Sequence, residues 1–154
     1  MPIFEAAMCF ARPVAEVFAF FIRPANLLRV SPPELHMRLV EGPEQLQLGS
    51  RLTIAGRRWG LPQRMVSEVT VFEPNVRFVD EQREGPFRHW VHRHHFEAVA
   101  DGTRVTDRID YEPPGGALGL LITARFVERD LRWLFDYREQ KLHELLGGNT
   151  EKKD

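Results

Sequence analysis

The C-terminal part of the chain most narrows the folds that this sequence can adopt. Residues 118–146 contain no proline and no glycine beyond the first turn. Apolar residues recur there at helical spacing: Leu120, Ala124, Val127, Leu131, Leu134, Phe135, Leu142 and Leu145. Gly147 follows as a suitable C-cap. A helix of ~28 residues would be about 40 Å long, and its apolar stripe must pack against a large partner.

The preceding segments predict that partner to be an antiparallel sheet. Six segments have extended-chain character: LHMRLVEG, SRLTIAGRRW, QRMVSEVTVFEP, VRFVDEQREG, FRHWVHRHHFEAVA and TRVTDRIDY. Turn signals separate them, and the step from Asp101 to Gly102 predicts a tight hairpin. A further strand over residues 3–11 and two short helices, the first beginning near Pro13, come before them. The predicted class is α+β.

Length, composition and charge set limits on domain number and on partners. We expect a single domain over residues 1–147 and a disordered polar tail over residues 148–154. The 21 basic residues are spread among 22 acidic ones, so nucleic acid is not an expected partner. Cys9 is alone, which excludes an intrachain disulfide. There is no signal-peptide pattern and no apolar run near the ~18 residues of a membrane span. We therefore predict no membrane span and a cytoplasmic location.

Several segments carry a resemblance to a known superfamily. RPVAEVFAFF with NLLRVSPP, FVDEQREGPFRHWVHRHHFE, RVTDRIDYEPPGG and FDYREQKL resemble matching segments of the START-like (SRPBCC) superfamily, in its polyketide cyclase/dehydrase-like bacterial branch. The resemblance covers residues 3–146. It implies the helix-grip fold, in which a curved seven-stranded antiparallel sheet wraps a long C-terminal helix and two short helices follow strand 1. The superfamily includes lipid carriers, ubiquinone-binding proteins, hormone receptors and cyclases.

Alternation along the strands predicts which side chains face the helix. In FRHWVHRHHFE, one row carries Arg93 and Glu97, whose charges need water. The other row carries Trp90 and Phe96, so we expect it to face inward together with the histidines between them. The same reasoning on the neighbouring strands and on the last helix gives the full set of expected ligand-binding residues: Met65, Asp80, Gln82, Trp90, His92, His94, Phe96, Asp107, Tyr111 and Arg138.

Seven of these side chains are polar or charged, and their burial sets a constraint on the interior. An unpaired buried polar group costs about 1–3 kcal/mol, and a buried charge costs more. Seven of them in a sealed core would consume most of the about 5–15 kcal/mol that stabilises a typical domain. They must be paired with one another or face a ligand. The sequence therefore predicts a partly polar cavity for a small hydrophobic or amphipathic molecule such as a lipid, a quinone, or a polyketide-like or aromatic compound.

Other interpretations of the same residues stay open at this point. His92 or His94 with Asp107 could act as an acid/base pair of a cyclase, dehydratase or hydrolase. The same residues could hold a metal, but no HExxH or Cys/His cluster supports this, and we predict none.

Three further alternatives concern Arg138, nucleotides and partner chains. Arg138 is either an anchor for an acidic ligand group or the partner of an inward aspartate. PPGGALG lacks the Lys-Ser/Thr ending of a phosphate loop, so no cofactor is expected. A homodimer, or an interaction module with a vestigial cavity, is the remaining alternative.

Overall fold

The computed structural model describes residues 1–147 of the chain. Its strands are β1 (Ile3–Phe10), β2 (Arg38–Glu41), β3 (Arg51–Arg58), β4 (Leu61–Glu73), β5 (Arg77–Glu84), β6 (His89–Val99) and β7 (Gly102–Glu112). Its α-helices are α1 (Val14–Phe21), α2 (Pro24–Arg29), α3 (Gly116–Leu121) and α4 (Ala124–Leu146). The predicted tail over residues 148–154 lies outside the described residues.

The strands form one antiparallel sheet in the order β1-β7-β6-β5-β4-β3-β2. β2 to β7 follow one another as a meander, and β1 pairs with β7 at one edge. The hairpin predicted at Asp101 and Gly102 joins β6 to β7, with Val99 opposite Gly102. Gly102 has a φ of 148°, and a Cβ atom there would collide with the carbonyl oxygen of Phe10. The prediction of a seven-stranded helix-grip fold is confirmed.

The predicted helix over residues 118–146 is divided in the structure, and here the prediction was wrong. α3 ends at Leu121, and α4 begins only at Ala124. The hydroxyl of Thr123 accepts a hydrogen bond of 3.2 Å from the backbone N–H of Phe126. This N-cap satisfies one of the free donors at the start of α4 and so favours a new helix at that point. Leu120 therefore lies outside the apolar stripe and is 82% exposed.

The apolar face of α4 packs on the concave side of the sheet. Its buried residues are Val127, Leu131, Leu134, Phe135, Leu142 and Leu146, and each contributes about 1.5–3 kcal/mol. At another point of the same concave side, Phe18 of α1 packs edge-on against Phe72, Phe78 and Phe96. None of the helices within residues 1–147 is both long and apolar enough to cross a membrane.

Candidate functional site

A cavity of about 240 Å³ lies between the concave face of the sheet and α4. α2 and the turn between β3 and β4 also contribute to its wall. Most of the wall is apolar, and aromatic side chains such as Phe21, Trp90 and Phe135 form part of it. The volume is slightly below the ~300–1,000 Å³ of most small-molecule pockets.

Two histidines and two aspartates from three adjacent strands form a hydrogen-bonded network on this wall. Nε2 of His92 lies 2.8 Å from Oδ1 of Asp107, and Nε2 of His94 lies 2.9 Å from Oδ2 of Asp80. In the register of the sheet, Asp80 faces His92 and His94 faces Asp107. Each carboxylate therefore binds the histidine two residues along β6 from its register partner, a diagonal cross-strand distance that long side chains bridge.

A third contact links the two pairs. Nδ1 of His94 lies 3.3 Å from Oδ1 of Asp107, but its orientation does not make a hydrogen bond, and this buried nitrogen has no hydrogen-bond partner among the described residues. His94 thus lies close to two carboxylates at once. Asp107 is 3% exposed and His92 is 7% exposed, so water screens the network weakly.

Stacked rings hold the two imidazoles in place. The ring of His94 lies between Phe78, at a centroid distance of 4.1 Å, and His92, at 3.8 Å. The planes are inclined by only 14° and 24°. Phe78 is also the register partner of His94 across β5 and β6. The stack restricts rotation of the two imidazole rings. Their nitrogen atoms therefore keep one arrangement on the cavity wall.

The network has a defined charge state near neutral pH. Burial by itself lowers the pKa of His94, but the contacts with Asp107 and Asp80 outweigh burial and raise it to about 9. Burial and the neighbouring charge of His94 lower the pKa of His92. Burial acts to raise the pKa of each aspartate, but the histidine contacts outweigh it and lower both values. His94 is therefore an imidazolium, His92 is neutral, and both carboxylates are ionised.

Arg138 on α4 adds a second positive charge to the cavity wall. Its Nε is buried and has no hydrogen-bond partner among the described residues. Asp80 and Asp107 form their ion pairs with the histidines instead, so the structure does not show the aspartate partner considered for Arg138. The guanidinium carbon lies 5.0 Å from the ring centroid of Phe135. Burial lowers the pKa of Arg138, but an arginine remains charged at neutral pH.

A second cluster of hydrogen-bonded side chains, which the sequence analysis did not predict, joins the β3–β4 turn to α4. Oδ2 of Asp130 accepts hydrogen bonds from Nη2 of Arg58 at 2.8 Å and from Nε1 of Trp59 at 3.2 Å. Trp59 adopts a positive φ of 55°, and Gly60 follows with a φ of 77°. Arg58 and Trp59 both line the cavity. The Trp-Gly pair between two strand-like segments was the sequence signal for this tight turn.

The structure places the predicted binding residues in two groups. Those on the cavity wall are Met65, Asp80, Trp90, His92, His94, Asp107 and Arg138. The other three do not line the cavity. The amide of Gln82 donates to the carbonyl oxygen of Phe87 and shapes the β5–β6 turn. Phe96 is held in the aromatic cluster of α1, and the hydroxyl of Tyr111 donates to the carbonyl oxygen of Ala124.

The arrangement suits a proton network better than a metal ion. Asp80, His92 and His94 each offer one ligand atom, and these atoms lie within 4.8 Å of one another. However, the two imidazole rings are stacked face to face, so their in-plane lone pairs cannot converge on one ion without ring rotation.

Comparison with known proteins agrees with the fold and the sequence resemblance. Residues 1–142 match the family described as "Polyketide cyclase / dehydrase and lipid transport". No curated protein matches the chain. Among solved structures, TTHA0849 from Thermus thermophilus is 18% identical, with a TM-score of 0.67 and coverage of 94% of this chain and 99% of that chain.

Two other solved structures show the same fold. Ginseng major latex-like protein 151 from Panax ginseng is 15% identical, with a TM-score of 0.69 and coverage of 96% of this chain and 98% of that chain. The di-domain ARO/CYC StfQ from the steffimycin biosynthetic pathway is 16% identical, with a TM-score of 0.69. The alignment with StfQ covers 94% of this chain but only 49% of that protein. The chain therefore belongs to the polyketide cyclase / dehydrase and lipid transport family, within the START-like (SRPBCC) superfamily.

Proposed function

We propose that this protein binds a compact amphipathic molecule in the cavity between the sheet and α4. The apolar body of the ligand packs against the aromatic and aliphatic wall, and its polar end faces the network of histidines and aspartates. The observation that carries the proposal is the position of this network, which forms one part of an otherwise apolar wall. Apolar pockets with a few fixed polar groups are typical small-molecule sites.

The energetics of the interior support this function over a purely structural role. Burying several charged groups costs folding free energy that apolar residues of similar size would not. The positive charges of His94 and Arg138 balance the negative charges of Asp80 and Asp107, so the cluster is neutral as a whole. Even so, Nδ1 of His94 and Nε of Arg138 lack hydrogen-bond partners among residues 1–147. Buried polar groups without partners call for an explanation, and ligand recognition provides one.

The cavity volume limits the size of the ligand. A cavity of about 240 Å³ favours an aromatic, quinone-like or short polyketide-like molecule over a long-chain lipid. Trp90, Phe78 and Phe135 line it and offer ring faces and edges for stacking.

Titration calorimetry with the neutral ring compound 2-naphthol tests this function. The substitution Ser67→Trp places a large side chain on the cavity wall and should abolish binding. Val71→Trp is the matched control, because Val71 is an exposed residue of the same strand outside the cavity lining. Binding to the wild type and the control, with a negative heat-capacity change, supports the function. No binding, or equal binding to Ser67→Trp, would contradict it.

A second candidate is acid/base catalysis on a polyketide-like or aromatic substrate. The observation that favours it is the imidazolium of His94, held by stacking next to two ionised carboxylates. Such a group can donate a proton to a carbonyl or hydroxyl oxygen in a ring closure or dehydration. Its pKa of about 9 makes it a better proton donor than a base at neutral pH. Turnover lost in His94→Gln with binding retained would support catalysis, and unchanged turnover would refute it.

A further inference from the structure

We propose that the ligand of this cavity is a carboxylic acid whose carboxylate pairs with the guanidinium of Arg138. The inference rests on the proposed function and adds the chemical class of the ligand to it. It makes Arg138 a binding residue for an anion on the α4 wall of the cavity, while further polar atoms of the ligand face the histidine network on the sheet wall.

Arg138 lies on the cavity wall without a carboxylate within ion-pair distance among residues 1–147. Its side chain is half-buried on the cavity wall, and its Nε makes no hydrogen bond with a described residue. The guanidinium carbon lies 5.0 Å from the ring centroid of Phe135, and this cation–π contact compensates only part of the lost hydration. A guanidinium presents a planar fork of N–H donors that matches a carboxylate in two parallel hydrogen bonds.

The charges around the cavity also favour an anion. The acidic residues on the wall are Asp80 and Asp107, and both are bound by histidines. Their negative charge is partly neutralised by the imidazolium between them. The wall also carries three arginines from β3 and β4: Arg57, Arg58 and Arg64.

Of these three arginines, Arg58 is neutralised by Asp130 at 2.8 Å. No carboxylate partner is found for Arg57 or Arg64 among residues 1–147; Arg57 donates to the carbonyl oxygen of Gly60. The positive charges on the wall thus exceed the negative ones, and an anion is attracted to the cavity.

The test compares two ligands of equal shape and different charge, 2-naphthoic acid and 2-naphthamide. Each is titrated by calorimetry at pH 7 into the wild type, Arg138→Met and Arg138→Lys. Arg138→Met keeps an unbranched side chain and removes the charge, whereas Arg138→Lys keeps the charge and loses the planar fork. Arg129→Met, which removes an exposed arginine of the same helix, is the matched control.

The proposal predicts that the wild type and the control bind the acid at least about tenfold more tightly than the amide. Arg138→Met should lose this preference but still bind the amide, and Arg138→Lys should retain part of the preference. Equal affinity for acid and amide in the wild type, or an unchanged preference in Arg138→Met, would overturn the proposal and leave the proposed function intact. No binding of either compound to the wild type would count against both.

Discussion

The pH dependence of stability should report the imidazolium of His94. Its pKa is about 9 in the folded chain and near 6.5 as an ordinary histidine. Between these values the folded chain keeps a proton that the unfolded chain has released. The stabilisation is therefore complete below pH 6.5 and is lost as the pH rises through about 9. At about 1.4 kcal/mol per pH unit, the loss is on the order of 3 kcal/mol.

The variant His94→Gln isolates this effect. Glutamine can still donate a hydrogen bond but does not titrate, so the fall in the free energy of unfolding between pH 6.5 and 9 should be smaller by about 3 kcal/mol than in the wild type. Urea unfolding followed by tryptophan fluorescence measures it at intervals of half a pH unit. His95→Gln, an exposed histidine of the same strand, should keep the wild-type slope.

His92 gives the opposite pH dependence of stability and so sets the lower limit of the pH range in which His94 is measured. The pKa of His92 is lowered in the folded chain, so its contribution is present above about pH 6.5 and is lost as the pH falls below that value. Measurements above pH 6.5 therefore separate the two residues. Identical slopes for the wild type and His94→Gln in this range would refute the charge state assigned to His94.

Three substitutions probe other parts of the structure through the free energy of unfolding. Asp107→Asn should lower the free energy of unfolding by about 3 kcal/mol, because a buried charged network loses one partner. Asp110→Asn, on the outer face of the same strand, should lower it by less than about 1 kcal/mol. Equal losses in the two variants would refute the buried network. Asp130→Ala should cost about 1–3 kcal/mol and increase hydrogen exchange at residues 57–62, and unchanged exchange would show that Asp130 does not hold the turn. Gly102→Ala should cost about 2 kcal/mol or more, because of its positive φ and the close carbonyl oxygen of Phe10; an unaffected midpoint would contradict that geometry.

Strand alternation was sufficient to identify the inward-facing row of β6. The two-residue period is fixed by backbone geometry, so Trp90 and Phe96 already indicated that the histidines between them share one face. The period does not show where the cavity ends along the strand. Phe96 shares the row of His94, yet α1 covers it with Phe18, and the placement of α1 depends on packing across the whole domain.

The contacts that pair the network could not be predicted in the same way. The bond between His92 and Asp107 depends on the register of the β6–β7 hairpin, and the bond between His94 and Asp80 depends on that of β5 and β6. The hydrogen bond from Trp59 to Asp130 joins residues 71 positions apart, and no local pattern connects them. A threonine inside a helical pattern, such as Thr123, is also compatible with the helix interior, so its role as an N-cap was visible only in the structure.

The proposed function depends on contact between the ligand and the histidine network inside the cavity. Nitrogen-15 NMR of the imidazole side chains during a titration with 2-naphthol measures this contact, because the resonances of His92 and His94 can be compared with that of the exposed His95. We expect saturable shifts of the His92 and His94 resonances in the wild type and their absence in Ser67→Trp, with His95 unaffected in both. Binding of 2-naphthol that leaves the resonances of His92 and His94 unchanged would refute this placement of the ligand.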